Sequence, residues 1–350
     1  MTSPTRGKRL LSLDVFRGLT VAGMIVVNTP GNNSGYDWLD HAPWHGCTPA
    51  DLVFPFFLFI MGAALAFASP KTPTQILKRA AILFALGLML NAIPHYQLGT
   101  LRLMGVLQRI ALCYLACAAI ESALNPRAQI SLTAAILLGY WLLLAQGGDM
   151  TVEGNLPAKL DRLILGAHTY RSGSYDPEGF LSTGPAVATT LIGLICGRGL
   201  RTPGRPEQKA AVLAVIGLAC AGLGRLWGLA FPINKALWTS SFVLYTGGLA
   251  AFALADIYWL CDIDGTTAWG RPFEALGVNA IAAYVLPILL LKLMVYTRID
   301  GTQPRLWLCA KLFETWLSPA NASAAFAFAY AALWTGAFTL LKRRRIAIKI

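Results

Sequence analysis

The residues best suited to chemistry crowd into one stretch, Asn28 to Ile60, which reads NTPGNNSGYDWLDHAPWHGCTPADLVFPFFLFI. His41 and His45 lie in a polar, glycine-rich loop, and Asp51 stands where that loop enters a run of Phe, Leu and Ile. Histidine has an ordinary pKa of about 6.5, so His41 can take a proton near neutrality. Asp51, ten residues on, can orient it if the following helix turns back toward the loop. For His41 alone, the plainer reading is a satisfied histidine at an interface. The i, i+4 spacing of His41 and His45 is also a metal-ligand spacing, but Pro43 lies between them and no Cys or Glu is placed as a third ligand, so no metal is expected. Titratable groups at the mouth of a very apolar segment point to a reaction at a membrane surface.

The rest of the chain must supply that membrane part. Of 350 residues, 56% are hydrophobic and only 13% charged, about half the charged share of a soluble protein. The mean hydropathy is +0.56. These values describe a polytopic membrane protein. The net charge of +12 would suit nucleic acid, but the basic residues sit in short loops and in LKRRRIAIK at the C-terminus. That is the positive-inside pattern, and nucleic acid is not expected as a partner. The seven cysteines mostly lie within apolar runs (Cys113, Cys117, Cys196, Cys220) and read as small buried hydrophobes.

Runs of about 20 apolar residues place spans near 10–30, 50–69, 77–95, 102–120, 131–147, 182–200, 210–230, 239–260, 273–295 and 321–341. The expected fold is all-α, a bundle of about ten transmembrane helices forming one integral-membrane domain over 1–350. Arg6, Lys8 and Arg9 precede the first run as in a signal peptide, but Asp14 and Arg17 interrupt it, so a retained helix is expected. Basic loops at Lys71, Lys78, Arg79 and at Arg198 to Lys209 put both termini in the cytoplasm. The His41 loop then faces outward, as do the long polar loop 148–181, the FPINKALW loop and the amphipathic TRIDGTQPRLWLCAKLFETWL segment.

Ionisable groups within spans cost a few kcal/mol and face a partner or a cavity. Asp14 and Arg17, three apart, form either a helix-end ion pair or the mouth for a phosphate-bearing ligand. Arg109, in GVLQRIALCY, either pairs with Asp14 or Asp51 or binds an anionic ligand. Arg102, Arg225, Asp256 and Lys292 belong to the same class.

The stretches SLDVFRG, HAPWHGCTPADLVFPFFLFIMG, GVLQRIALCY, YDPEGFLSTGPAVATTLIG, PINKALWTSSFVL and FEALGVNAIAAY together resemble the heparan-α-glucosaminide N-acetyltransferase family and its bacterial relatives. The resemblance covers nearly the whole chain in order. It implies a membrane enzyme that takes acetyl from cytosolic acetyl-CoA and places it on a glucosamine amine across the bilayer; with both termini cytoplasmic, the inner (plasma) membrane is the expected location. His41 matches the family's catalytic histidine, and Asn28, Asp51 and Arg109 match further family residues. On this reading His41 is the base held by Asp51, or forms an acetyl-histidine, and Asn28 donates to the oxyanion or the substrate. Asp14, Arg17 and Arg109 are then expected on the acetyl-CoA side, and Lys235, Trp238 and Asn279 on the sugar side. His45 stands where relatives usually have Asn and receives no role.

The residues alone leave other functions open: a sugar or wall-fragment transporter using the buried charges, or an O-acetyltransferase of an envelope glycan. Apolar helix faces rich in Gly and Ala permit a homodimer.

Overall fold

Proline stands in the first turn of eight helices among the described residues. Its missing N–H is unsatisfied there in any case, and its fixed φ suits a helix start. The computed structural model describes residues 10–69, 71–170, 173, 175–299, 301–346 and 348. Arg6, Lys8 and Arg9 lie outside the described residues. The chain is all-helical: α1 (Leu11–Asn28), α2 (Pro49–Leu65), α3 (Pro73–Ala92), α4 (Val106–Ala123), α5 (Pro126–Gln146), α6 (Leu156–Leu165), α7 (Thr183–Arg201), α8 (Pro206–Trp227), α9 (Ser240–Tyr258), α10 (Arg271–Val278), α11 (Ala280–Tyr296), α12 (Pro304–Cys309) and α13 (Pro319–Arg343).

Each expected span coincides with a helix, but the helices are not equal. Among the described residues, seven helices are long and apolar enough to cross a membrane: α1, α3, α4, α5, α8, α13, and α9 extended through a π-helical turn to Ile263. The pair α10 and α11 makes an eighth if counted as one span, and it is bent by 86°. The other two expected spans are α2, at 17 residues short of a full crossing, and α7, which is largely buried against α2, α4, α5 and α9.

The α2–α7 seam sets the position of Asp51. A Cβ on Gly193 would stand 1.9 Å from the Phe59 carbonyl oxygen, and one on Gly62 would stand 1.9 Å from that of Thr190. The two helices therefore cross backbone against backbone, which only glycine allows. Around the seam, Phe54, Leu58, Leu191, Trp238 and Phe242 form part of one apolar core. The lipid-type surface lies outside it: Val212, Val215, Ile216, Leu223 and Leu226 of α8 are all exposed.

At one end of the bundle, the 29–48 connection, the segment leading into α4, the α6–α7 loop and the α8–α9 loop converge. Trp44 Nε1 donates to the Met150 carbonyl at 2.7 Å, and the Trp44 ring meets Tyr175 edge-on at 5.3 Å. Gly46 N–H donates to the Ile233 carbonyl at 2.8 Å. These ties carry the loops to one place.

Candidate active site

Asp51 is the third residue of α2, and Thr48 is its N-cap. The two form a capping box, in which a short acid turns back on the helix start to accept the cap's N–H. Asp51 Oδ2 accepts from the N–H groups of Thr48 at 3.0 Å and Ala42 at 3.1 Å, and from Thr48 Oγ1 at 3.2 Å. The carboxylate is 1% exposed, at a helix N-terminus whose dipole favours negative charge.

The backbone bonds hold Oδ2, so Oδ1 faces outward. It lies 2.9 Å from His41 Nδ1 and 3.2 Å from Lys235 Nζ. Lys235 Nζ also stands 3.1 Å from Nδ1 and 3.3 Å from Nε2 of His41. An Nδ1–H directed at Asp51 leaves the Nε2 lone pair for chemistry, and Lys235 is the donor beside it. The His41 side chain is 49% exposed, whereas Asp51 is buried: a rigid anion holds a ring that substrate can reach.

These residues face a cavity of about 360 Å³, within the range of small-molecule sites, roughly 300–1,000 Å³. Asn28, the last residue of α1, lines it with His41, Asp51, Lys235 and Trp238. Met24, one turn deeper along α1, contributes an apolar wall with Val106 and Tyr284. The remaining wall holds Arg102, Glu178, Tyr170 and Tyr175. Arg102 forms a fork on Asp176, with Nε to Oδ2 at 2.9 Å and Nη2 to Oδ1 at 2.5 Å, and Nη2 also reaches Glu178 Oε2. Those carboxylates hold the Arg102 pKa above its ordinary value, against the opposing pull of burial.

Trp238 is a wall rather than an open platform. It is 1% exposed and its Nε1 donates to Thr189 Oγ1 at 3.0 Å. Its ring is packed edge-on to Phe54 and Phe242. Its φ of +51° is left-handed, which costs a non-glycine residue about 1 kcal/mol or more. The packing and the buried hydrogen bond offset that cost.

The structure places four further expected residues away from this cavity. Arg109 pairs with neither Asp14 nor Asp51 and does not line the cavity. It is fully buried, its guanidinium 5.0 Å over the Trp238 ring, and Nη2 donates to the Gly179 carbonyl and to Ser182 Oγ. It braces the wall from behind. Asp14 and Arg17 form their i, i+3 pair at 3.3 Å beside Gly277 of α10. Fourteen residues of helix at about 1.5 Å each separate Asp14 from Asn28. Asn279 does not line the cavity: it sits at the α10–α11 bend, where Nδ2 donates to Ala275 O at 3.0 Å and Oδ1 accepts from Ile348 N–H at 2.8 Å.

His45 also stays off the cavity, bonded to Asn234 at 3.3 Å, with partial burial lowering its pKa. Asp176, Glu178, Tyr170 and Tyr175 were not singled out as site residues. Their signal was the carboxylate pair in YDPEG, which becomes visible only once Arg102, more than seventy residues earlier, is placed beside it.

The profile of the family described as "Heparan-alpha-glucosaminide N-acetyltransferase, catalytic" matches residues 9–226, well over half of the chain. The chain belongs to that family. Human heparan-alpha-glucosaminide N-acetyltransferase is 31% identical over 352 residues, which cover 79% of this chain and 52% of the human protein. The mouse protein of the same name is 29% identical over 357 residues, covering 81% of this chain and 54% of its own length. The chain thus spans about half the length of the curated relatives it matches. As a member of the heparan-alpha-glucosaminide N-acetyltransferase catalytic family, it carries that family's catalytic region in a multi-pass helical membrane protein. The matched region contains Asn28, His41, Asp51, Arg102 and Glu178, whereas Lys235 and Trp238 lie beyond it.

Proposed function

We propose that this chain transfers acetyl from acetyl-CoA to the amine of glucosamine or of a glucosamine-bearing glycan. The observation that carries the reading is the 2.9 Å approach of His41 Nδ1 to buried Asp51 at the mouth of the cavity. A histidine oriented by a carboxylate leaves Nε2 free to act. The amine nitrogen attacks the thioester carbonyl while Nε2 takes its proton. Charge develops on the carbonyl oxygen, and Lys235 Nζ and the Asn28 amide are the donors at hand. The tetrahedral intermediate then expels the CoA thiolate, which takes the proton back from His41. In the rival sequence Nε2 itself attacks, and an acetyl-histidine passes the group on. The apolar wall of Met24, Val106 and Tyr284 suits the acetyl methyl.

The orientation consistent with this reading puts both termini in the cytoplasm of the inner (plasma) membrane, with His41 facing outward. The positive-inside pattern supports it.

The test is transfer of labelled acetyl from acetyl-CoA to glucosamine by purified protein in detergent, with His41→Ala beside the wild type. N-acetylglucosamine formed by wild type and not by the variant supports the reading. Absence of transfer and of acetyl-CoA binding would sink it. Label that stays on the protein after acetyl-CoA alone supports the acetyl-histidine sequence over direct transfer.

A further inference from the structure

We infer that Glu178 is the residue that recognises the acceptor's ammonium group, so that the cavity selects a cationic amino sugar over a neutral or anionic one. The inference rests on the proposed acetyl transfer for its place in a reaction, but it stands on separate observations.

Glu178 is 9% exposed and lines the cavity. Its position is imposed from both sides of the α6–α7 loop. Its own N–H donates to Asp176 Oδ1 at 2.9 Å, Asp161 Oδ1 accepts the Phe180 N–H at 2.8 Å, and Arg109 holds the Gly179 carbonyl. A Cβ on Gly179 would lie 1.9 Å from Asp161 Oδ2, so this turn fits only as built. Arg102 commits its fork to Asp176 and only one further N–H bond to Glu178 Oε2. Glu178 Oε1 accepts no hydrogen bond among the described residues.

Charge counting points the same way. Lys235 is matched by Asp51, and Arg102 by Asp176, which is 2% exposed. Behind the wall, the buried Arg109 guanidinium is spoken for by the Gly179 carbonyl, Ser182 Oγ and the Trp238 face. Arg102 thus stands between two carboxylates, and Glu178, sharing it with Asp176, keeps its second oxygen for the cavity. A buried carboxylate with a free oxygen strongly favours a charge-assisted donor, and an ammonium supplies both the proton and the charge. A sugar hydroxyl supplies only the proton, and an N-sulfated or carboxylated ligand meets repulsion. Tyr170, with Arg102 over its ring, and Tyr175, edge-on to Trp44, line the same wall.

The experiment is calorimetric titration of the full chain in detergent, without acetyl-CoA, using glucosamine, glucose and N-acetylglucosamine. Wild type is expected to bind glucosamine roughly ten-fold or more tightly than either neutral sugar, the range of one charged hydrogen bond. Glu178→Gln is expected to remove that preference while leaving glucose binding unchanged, and Glu178→Asp to keep part of it. Equal affinity of wild type for the three sugars would overturn the inference, whatever the variants do. So would a Gln variant that folds, by its thermal unfolding, and retains the preference. Selective binding without any acetyl transfer would support this subsite and sink the catalytic reading. Transfer without selective binding would do the reverse.

Discussion

Lys235 Nζ and His41 Nδ1 meet on one oxygen, Asp51 Oδ1, at 3.2 and 2.9 Å. One buried carboxylate therefore positions both His41 and Lys235, and neither can shift without disturbing the other. Asp51→Asn keeps the size of the side chain but loses the charge. Its kcat for acetyl transfer is expected to fall about 10²- to 10⁴-fold. The capping box is also weakened, costing about 1 kcal/mol, so thermal unfolding measured alongside separates the two effects. A kcat within a few-fold of wild type would remove Asp51 from the machinery.

Lys235→Met removes the donor nearest Nε2 and leaves Asp51 with His41 alone. If Lys235 stabilises the oxyanion, kcat is expected to fall about 10²- to 10³-fold, with a smaller change in the affinity for glucosamine. Single-turnover kinetics read the two separately. A change confined to KM would make Lys235 a substrate contact only.

Gly179→Ala is expected to lower the proposed acetyl transfer without touching His41. The new methyl would displace Asp161 Oδ2 and free the Phe180 N–H from its partner, a buried loss of about 1–3 kcal/mol. Limited proteolysis should show faster cleavage between α6 and α7, and acetyl transfer should fall with it. Unchanged protection would contradict the clamp described here.

The outer loop should also respond to pH through Asp161. Burial is the main cause that raises its pKa to about 6, with Asp176 adding to it. An unfolded aspartate titrates near about 3.9. Between these values the folded loop holds more protons than the unfolded one, so this contribution to stability is full below about pH 4 and is lost as pH rises through 6. Asp161→Asn should flatten that slope while its carbonyl still accepts the Phe180 N–H. Proteolytic protection of the loop from pH 4.5 to 7.5 measures it, and a parallel slope in the variant would rule Asp161 out.

Cys47, close to the histidine loop, is an inert thiol. Burial, and then the nearby Asp51 carboxylate, push its pKa to about 12, so almost no thiolate exists at neutrality. Brief iodoacetamide treatment at pH 7.5 is expected to leave both Cys47 and acetyl transfer intact. Rapid alkylation that matched loss of activity would reopen the question of a cysteine nucleophile.

The legible parts of the molecule were those written locally. Spans followed from apolar runs, and His41 with Asp51 from ten residues of chain, because a capping box turns Asp51 back within one helical turn. Pairings across long stretches of sequence were not legible. Arg102 and Glu178 are separated by α4, α5 and α6, and nothing in either segment announces the other. Arg109 was conspicuous for its charge, yet its partners are a carbonyl, a hydroxyl and an aromatic face, none of which a charge pattern reveals. Asn279 misled because residues 273–295 read as one straight span. The 86° bend turns its amide onto Ala275 and Ile348 instead of the cavity.

The convergence of four separate connections on one cavity divides responsibility among them. His41 and Asp51 come from the turn into α2, Lys235 from the α8–α9 loop, and Glu178 from the α6–α7 loop. The first and the last are joined chiefly through Trp44, on the Met150 carbonyl and the Tyr175 ring. If the proposed transfer holds, substitutions around Glu178 that spare those two contacts would alter the acceptor and leave the His41–Asp51 pair in place.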